Sequence, residues 1–439
     1  MSQLPAGWSI TNIEDVLLPL SDGRLLSQGW SPRCLPGPAH NEDEWAVLKT
    51  TAIQDGFFIP EENKKLPPNM TARPGLEVHP GDLLLTCAGP RRRCGIACLV
   101  RATRKNLMIS GKMYRFRVPE KHISPEYIEY FLRSADTQQV IDEMKTGISD
   151  SGLNLTHERF FRLPIAIPPF PEQLRVVKKI GSLSSKSKRA RQQLDHIPLL
   201  VERYRQAILA AAFRGDLTRD LRPKSNKVWD EISVGDLFEW SSGKNLPSKR
   251  QAGGSVPVIG GNGVSGYHDT ALIDFPTLAI GRVGAQCGNV HHSEGPAWIT
   301  DNAIYATSIS GRIALEFAIL FFRISNLNSL AGGTGQPYVN QTVLNELAIP
   351  VPSAEEQGQL VRRVDTAFAW IDRLATEATS ARGLIDHLDR AVLAKAFQGK
   401  LVPQDPRDEP ASVLLQRIRV EKSASATPTE PARSRRRRQ

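Results

Sequence analysis

The sequence is poor in the features that mark several large protein classes. Five cysteines in 439 residues, an odd number at irregular spacing, argue against a disulfide framework and for a reducing compartment. No apolar run is long enough to span a bilayer. The opening residues, MSQLPAGWS, carry no signal-peptide core, so a cytoplasmic protein is expected. Catalytic signatures are missing as well. The Gly-Lys pairs at 111, 243 and 399 are followed by Met, Asn and Leu, which breaks the G-x-x-x-x-G-K-[ST] phosphate loop. There is no strand–GxGxxG–helix unit for a nucleotide or S-adenosylmethionine, and no Asn/Asp-Pro-Pro-aromatic tetrad of amino-methyltransferases. Glu143-Met144-Lys145 has the ending of a metal-dependent nuclease motif, but it lies in a polar, helix-like stretch and reads as a solvated face. Cys87, Cys94 and Cys98, and His291-His292, match no four-ligand zinc spacing. The cysteines read as small buried hydrophobes, no metal is expected, and the chain looks catalytically empty.

A repeat is present instead. "LPIAIPPFPEQLRVVKKI" (163–180) aligns with "LAIPVPSAEEQGQLVRRV" (347–364), and "AILAAAFRGDL" (207–217) with "AVLAKAFQGKL" (391–401). The offset is 184 throughout, without gaps, and 15 of 56 aligned pairs are identical, clustered at the two ends. That pattern is an internal duplication. A weaker echo links "GWSITNIEDVL" around Trp8 to "VWDEISVGDLF" around Trp229 at an offset of 221, so the first variable stretch is longer by 37 residues. "GDLLLTCAG…CG" from Gly81 likewise matches "PTLAIGRVGAQCG" from Pro276, each a hydrophobic strand entering a glycine-rich turn. The order is variable domain, shared helix, variable domain, shared helix.

The shared segments read as long helices following an extended proline stretch. Heptad steps pick out Ile180, Ser187, Leu194, Val201 and Ile208, interleaved with Leu183, Ala190, Ile197 and Tyr204. In the second copy the same steps give Val364, Ile371, Ala378, Ile385 and Val392, with Ala367, Leu374, Ala381 and Leu388. All but Ser187 are apolar or aromatic, which is the seam of a coiled coil. A pair of ordinary core helices would also produce such a stripe, but the matched register favours the two copies packing on each other. Pro198 should kink the first helix. Gly215 and Gly399 sit where helix C-caps belong. Each variable stretch reads as a small α+β domain.

The net charge of +10 suits a polyanionic partner. Basic and amide side chains gather in predicted turns: Arg91, Arg92 and Arg93 in "PRRRCG"; Lys244, Lys249 and Arg250 in "SGKNLPSKRQ"; Arg282, Gln286 and Asn289 in "IGRVGAQCGN". Arg, Gln and Asn are the types that bond base edges, and Lys more often meets phosphate. Any one of them can equally be a solvated surface charge; as a group in a basic, non-catalytic chain they point to DNA.

The duplicated "IPxPxxxEQ" and "AFxGxL" motifs, with "RQAILAAAFRGDLT" and "AVLAKAFQGKLVPQDPRDEPASVLLQRIR", resemble the specificity subunits of type I restriction–modification systems over the chain to about Arg419. The resemblance implies an α+β fold with two target-recognition domains separated by two long antiparallel coiled-coil helices. It sets domain 1 at 1–162, a central helical region at 163–222, domain 2 at 223–346 and a distal helical region at 347–416. A basic tail at 417–439 is expected to be disordered. It also implies that each domain reads half of a split double-stranded DNA site, that the helices dock two methyltransferase subunits, and that endonuclease–translocase subunits join them. The chain itself would hold no cofactor; S-adenosylmethionine, ATP and Mg would belong to the partners. A non-catalytic two-domain scaffold, or an orphan DNA-binding protein without restriction partners, remains the alternative.

Overall fold

The computed structural model describes residues 4–222, 229–284, 287–330 and 338–425. They form two compact units, residues 1–192 with 382–439, and residues 193–381.

In the first unit, strand Ser9–Asn12 pairs antiparallel with Pro164–Ile167. A four-stranded antiparallel sheet runs Ser27–Gln28, Met113–Phe116, Leu83–Thr86, Ala97–Leu99. A three-stranded sheet runs Leu107–Met108, Ala46–Leu48, Asn63–Lys65, its first pair parallel. The strand Leu83–Thr86 is fully buried, as its unbroken apolar run requires.

The second unit repeats this plan. Asp230–Ser233 pairs antiparallel with Ala348–Val351. Its four-stranded sheet runs Phe238–Ser242, Ala303–Ile309, Thr277–Gly281, Val290–Ser293, and its three-stranded sheet Gly263–His268, Val256–Gly260, Trp298–Ile299, the last pair parallel. The pairs Ser9↔Ile167 and Asp230↔Val351 differ by the two sequence offsets, 221 and 184. The duplication therefore includes the variable domains, whose sequences hardly show it.

The repeated Glu-Gln pair explains part of its own recurrence. Buried Gln173 accepts from the Ser124 backbone N–H (2.9 Å) and donates to the Pro168 carbonyl (3.1 Å), tying helix Pro125–Arg133 to the start of the shared helix. Gln357 does the same with Ala314 N–H (2.7 Å) and Pro352 O (3.0 Å), ahead of helix Leu315–Ile324. The glutamates have diverged. Glu172 accepts from Trp8 Nε1 at 3.1 Å. Glu356 is taken by Thr218 (2.7 Å) and Arg222 (2.8 Å), and Arg222 lies over the Trp229 ring.

The first shared segment forms helices Phe170–Asp195 and Ile197–Phe213, broken at His196 just ahead of Pro198; the second is one unbroken helix, Ala354–Phe397. Gly215 and Gly399 end them at φ 76° and 68°, a left-handed conformation that costs glycine least. In the first unit, Val176 and Ile180 share a core with Val392 and Ala396, and Arg191 bridges Asp386 (2.8 Å) and Asp389 (2.7 Å). In the second, Leu209 and Ala212 share a core with Leu360 and Val364, and Arg205 pairs with Asp372. In each unit rising numbers face falling ones, so the pairing is antiparallel.

The expected disordered tail from 417 is corrected. Helix Ala411–Ser425 runs through that boundary and buries Leu414, Leu415 and Ile418 in the first unit's core. Their three- and four-residue spacing makes one apolar stripe. Lys422 Nζ donates to the carbonyls of Glu14 and Asp15, both at 2.8 Å. The arginine run from Arg433 lies outside the described residues.

Candidate nucleic-acid interface

At one end of each pair of sheets, three turns meet through backbone hydrogen bonds. In the second unit, Gly243 N–H donates to Ala303 O (3.1 Å), Lys244 N–H to Ile299 O (2.9 Å) and Arg282 N–H to Asn302 O (2.8 Å). In the first, Gly29 donates to Met113 O (3.3 Å), Trp30 to Ile109 O (3.2 Å) and Cys87 to Lys112 O (2.9 Å). A Cβ on either Gly29 or Gly243 would stand 2.2 Å from a carbonyl oxygen of the facing turn, so no other residue fits without moving the backbone. Gly95 and Gly288 close the next turn at φ 93° and 85°, each donating to its strand end at 2.7 Å. The two platforms coincide bond for bond while the residues on them differ.

The structure treats the expected site residues unequally. Lys244 and Arg282 stand on the second unit's platform, exposed and with no side-chain partner among the described residues. Lys249 and Arg250 are exposed in the turn Ser248–Arg250, whose continuation bonds to the outer strand Gly263–His268 rather than to the platform. Asn289 is half-buried, and its carbonyl accepts from Gly281 (2.8 Å). Gln286 lies outside the described residues. In the first unit only Arg92 has an exposed side chain with no partner among them. Arg91 is ion-paired to Asp142 (2.7 Å) and Asp150 (3.0 Å). Arg93 is removed as a base reader: its guanidinium turns inward to the carbonyls of Thr50 and Ile53 (2.7 Å to the latter). A second correction concerns Lys145, expected on a solvated face. Its side chain is only 4% exposed, pairs with Asp142 (2.5 Å) and donates to Arg91 O (3.0 Å), fastening the 90–95 turn. Among the described residues no group of three or more His, Cys, Asp or Glu could hold a metal ion. Burial pushes the Cys87 and Cys98 thiols up to about 12.

Sequence reasoning missed Lys112 and Asn302, which supply the carbonyls that pin Cys87 and Arg282. Gly111-Lys112 was visible as a Gly-Lys pair, but nothing in one sequence marks Asn302.

The seam residues divide in the same way. Ile180, Leu183 and Val392 pack in the first unit's core and Ile208 and Val364 in the second's, with Ile385 half-buried. Leu194, Ile197, Val201 and Tyr204 come together with Ile371 and Leu374 around an apolar groove floored by Ala378 and Ala381. Here the closed seam expected from periodicity is corrected. Tyr204 is 61%, Leu374 55% and Leu388 49% exposed. Leu200 and Trp370 extend the apolar surface in the second unit.

Comparison with known proteins fits this architecture. The family described as "Type I restriction modification DNA specificity domain" matches residues 226–379. The chain is 24% identical to the StySPI specificity subunit of Salmonella potsdam, over 96% of this chain and 97% of that one. Over nearly its whole length the chain is thus similar to specificity subunits of type I restriction enzymes. A segment of 178 residues is 42% identical to the EcoEI specificity subunit of Escherichia coli; it covers 40% of this chain and only 29% of that protein's length. Among solved structures, the HsdS subunit from Thermoanaerobacter tengcongensis superposes with a TM-score of 0.60 at 17% identity, over 91% of this chain and 98% of that one. A chain from a structural study of type I R-M complex assembly gives 0.68 at 19% identity, over 91% and 100%. Both share the fold of two β-rich domains and long helices.

Proposed function

We propose that this chain is the DNA-reading subunit of a type I restriction–modification complex and is itself non-catalytic. The observation that carries the reading is the duplicated platform: one backbone frame, built twice, bearing unlike exposed side chains. Two readers of one design suit a target split into two different half-sites, as symmetric placement on a duplex favours. Residues 1–162 and 223–346 would each read one half. Residues 163–222 and 347–416 would dock two methyltransferase subunits, with the apolar groove at Leu200, Tyr204 and Leu374 and the exposed ring of Trp370 as part of the docking surface. Endonuclease–translocase subunits would complete the assembly. Methylating a base requires flipping it into a catalytic pocket, and this division of labour assigns S-adenosylmethionine, ATP and Mg to the partners. No helix among the described residues is long and apolar enough to cross a membrane, and cytoplasmic action on DNA is the matching location.

The test is co-expression with a methyltransferase subunit of a type I system, followed by mapping of methylated adenines. Methylation at one bipartite sequence, changed in one half only when residues 8–162 are exchanged for a relative's, supports the reading. An exchange that alters both halves together overturns the one-domain, one-half-site assignment.

A further inference from the structure

We infer that Lys112 and Asn302 are the equivalent base-reading positions of the two domains, with Arg282 beside Asn302 as a second reader. This rests on the proposed DNA-reading function and adds the residues that set its specificity.

The backbone makes the two positions equivalent. Lys112 O accepts from Cys87 N–H and Asn302 O from Arg282 N–H, and the strand that follows each pairs in the same register, Met113↔Thr86 and Ala303↔Gly281. The two residues therefore occupy one place on one frame. Both side chains are exposed, and neither makes a hydrogen bond or ion pair among the described residues. A frame held by backbone bonds, with glycine where a Cβ would strike a carbonyl, tolerates any side chain at the open positions. If two such frames read different sequences, specificity must lie where the frames agree and the exposed side chains differ. Lys112 against Asn302 meets that condition, and Cys87 against Arg282 meets it on one side only, because Cys87 is buried.

Chemistry separates base reading from phosphate binding. Asn presents a donor and an acceptor on one amide, the pair that matches adenine N6 and N7. Asp301, exposed next to it, repels phosphate oxygens, so this turn is unsuited to the DNA backbone. Arg282 suits guanine O6 and N7, and Lys112, although lysine more often meets phosphate, can reach the same pair and is assigned to it by its equivalence to Asn302 on the frame. Gln28, the other amide at the first platform, donates to Gly111 O at 2.8 Å and positions the turn instead.

The test uses the full chain co-purified with its methyltransferase subunits and a library of DNA duplexes randomised within the two half-sites. Asn302→Ala should lower discrimination at one base pair of the half-site assigned to the second unit, by roughly 5- to 150-fold, and leave the other half unchanged. Lys112→Ala should do the converse. Lys105→Ala, an exposed cation of the first unit away from the platform, is the control and should alter neither. Equal weakening on every sequence, or unchanged preferences in both variants, overturns the inference while a sequence-specific wild-type complex leaves the proposed function standing. A wild-type complex without any sequence preference would remove the function itself.

Discussion

Gln173 and Gln357 show how much one buried amide can hold in this chain. Each is at most 1% exposed and bonds backbone groups of two elements at once. Truncation leaves those groups unsatisfied in a dry site, at about 1–3 kcal/mol. Gln173→Ala and Gln357→Ala should each lower stability by about 2 kcal/mol, seen as a lower denaturant midpoint without a changed slope. The cysteines give a second check at this scale. Desolvation, the leading cause, holds the Cys87 and Cys98 thiols protonated until about pH 12. Thiolate is the alkylating form, so neither should be labelled in the native chain at pH 8. Cys34, whose thiol is also pushed up by burial but which is half-exposed and so open to the reagent, should be labelled slowly. Peptide mass spectrometry after iodoacetamide treatment reads the pattern; modification of Cys87 without unfolding would contradict its placement. Residue roles were the least legible part of the sequence. Three consecutive arginines look alike on paper, yet Arg91 meets two aspartates, Arg93 two backbone carbonyls and Arg92 none of the described residues, because the turn's direction decides it.

At the scale of elements, the helices were legible, while of the sheets only the strands Leu83–Thr86 and Thr277–Gly281, each entering a glycine-rich turn, left a sequence signal. A stripe every 3.5 residues, a helix-breaking Pro198 and terminal glycines each have a single geometric consequence, and the breaks and caps fall where they indicate. The sheets rest on buried apolar residues that exchange freely if volume is kept, so Leu83–Thr86 and Thr277–Gly281 hold one topology with little shared sequence. Periodicity also could not show where the seam opens. Leu374 and Tyr204 are more than half exposed although they lie on the stripe. Replacing both by Ser removes little buried area, so stability should change by less than about 1 kcal/mol. If the groove docks the methyltransferase, the double variant should lose much of that binding by isothermal titration calorimetry. Ile371→Asp, at a position only 9% exposed, should behave oppositely. It puts an unpaired charge into an apolar contact, costing several kcal/mol, and the chain should lose solubility. A soluble, fully stable Ile371→Asp protein would refute the packing of that helix face.

For the whole molecule, the duplicated architecture makes spacing a property separate from reading. Under the proposed function the domains carry the sequence preference, and the paired helices set the length of the unread gap between half-sites. The ion pairs give the facing positions: the numbers of Arg191 and Asp386, and those of Arg205 and Asp372, sum to 577. Four residues inserted after Gln192, with four more after Leu384, therefore lengthen both helices at one level and leave each ion pair in its own segment. Four residues add about 6 Å and roughly one turn, so the phase of the apolar stripe is nearly kept. A base pair of B-DNA rises about 3.4 Å, and the matched variant should prefer a gap longer by one to two base pairs with both half-sites unchanged. Insertion after Gln192 alone should instead misalign the pair and weaken assembly, because one helix is lengthened without its partner. Methylation of duplexes with graded gaps decides between these outcomes. An active matched variant that keeps the parental gap would mean that the helices hold the methyltransferases without measuring the DNA, and the gap would then have to be set by the partners.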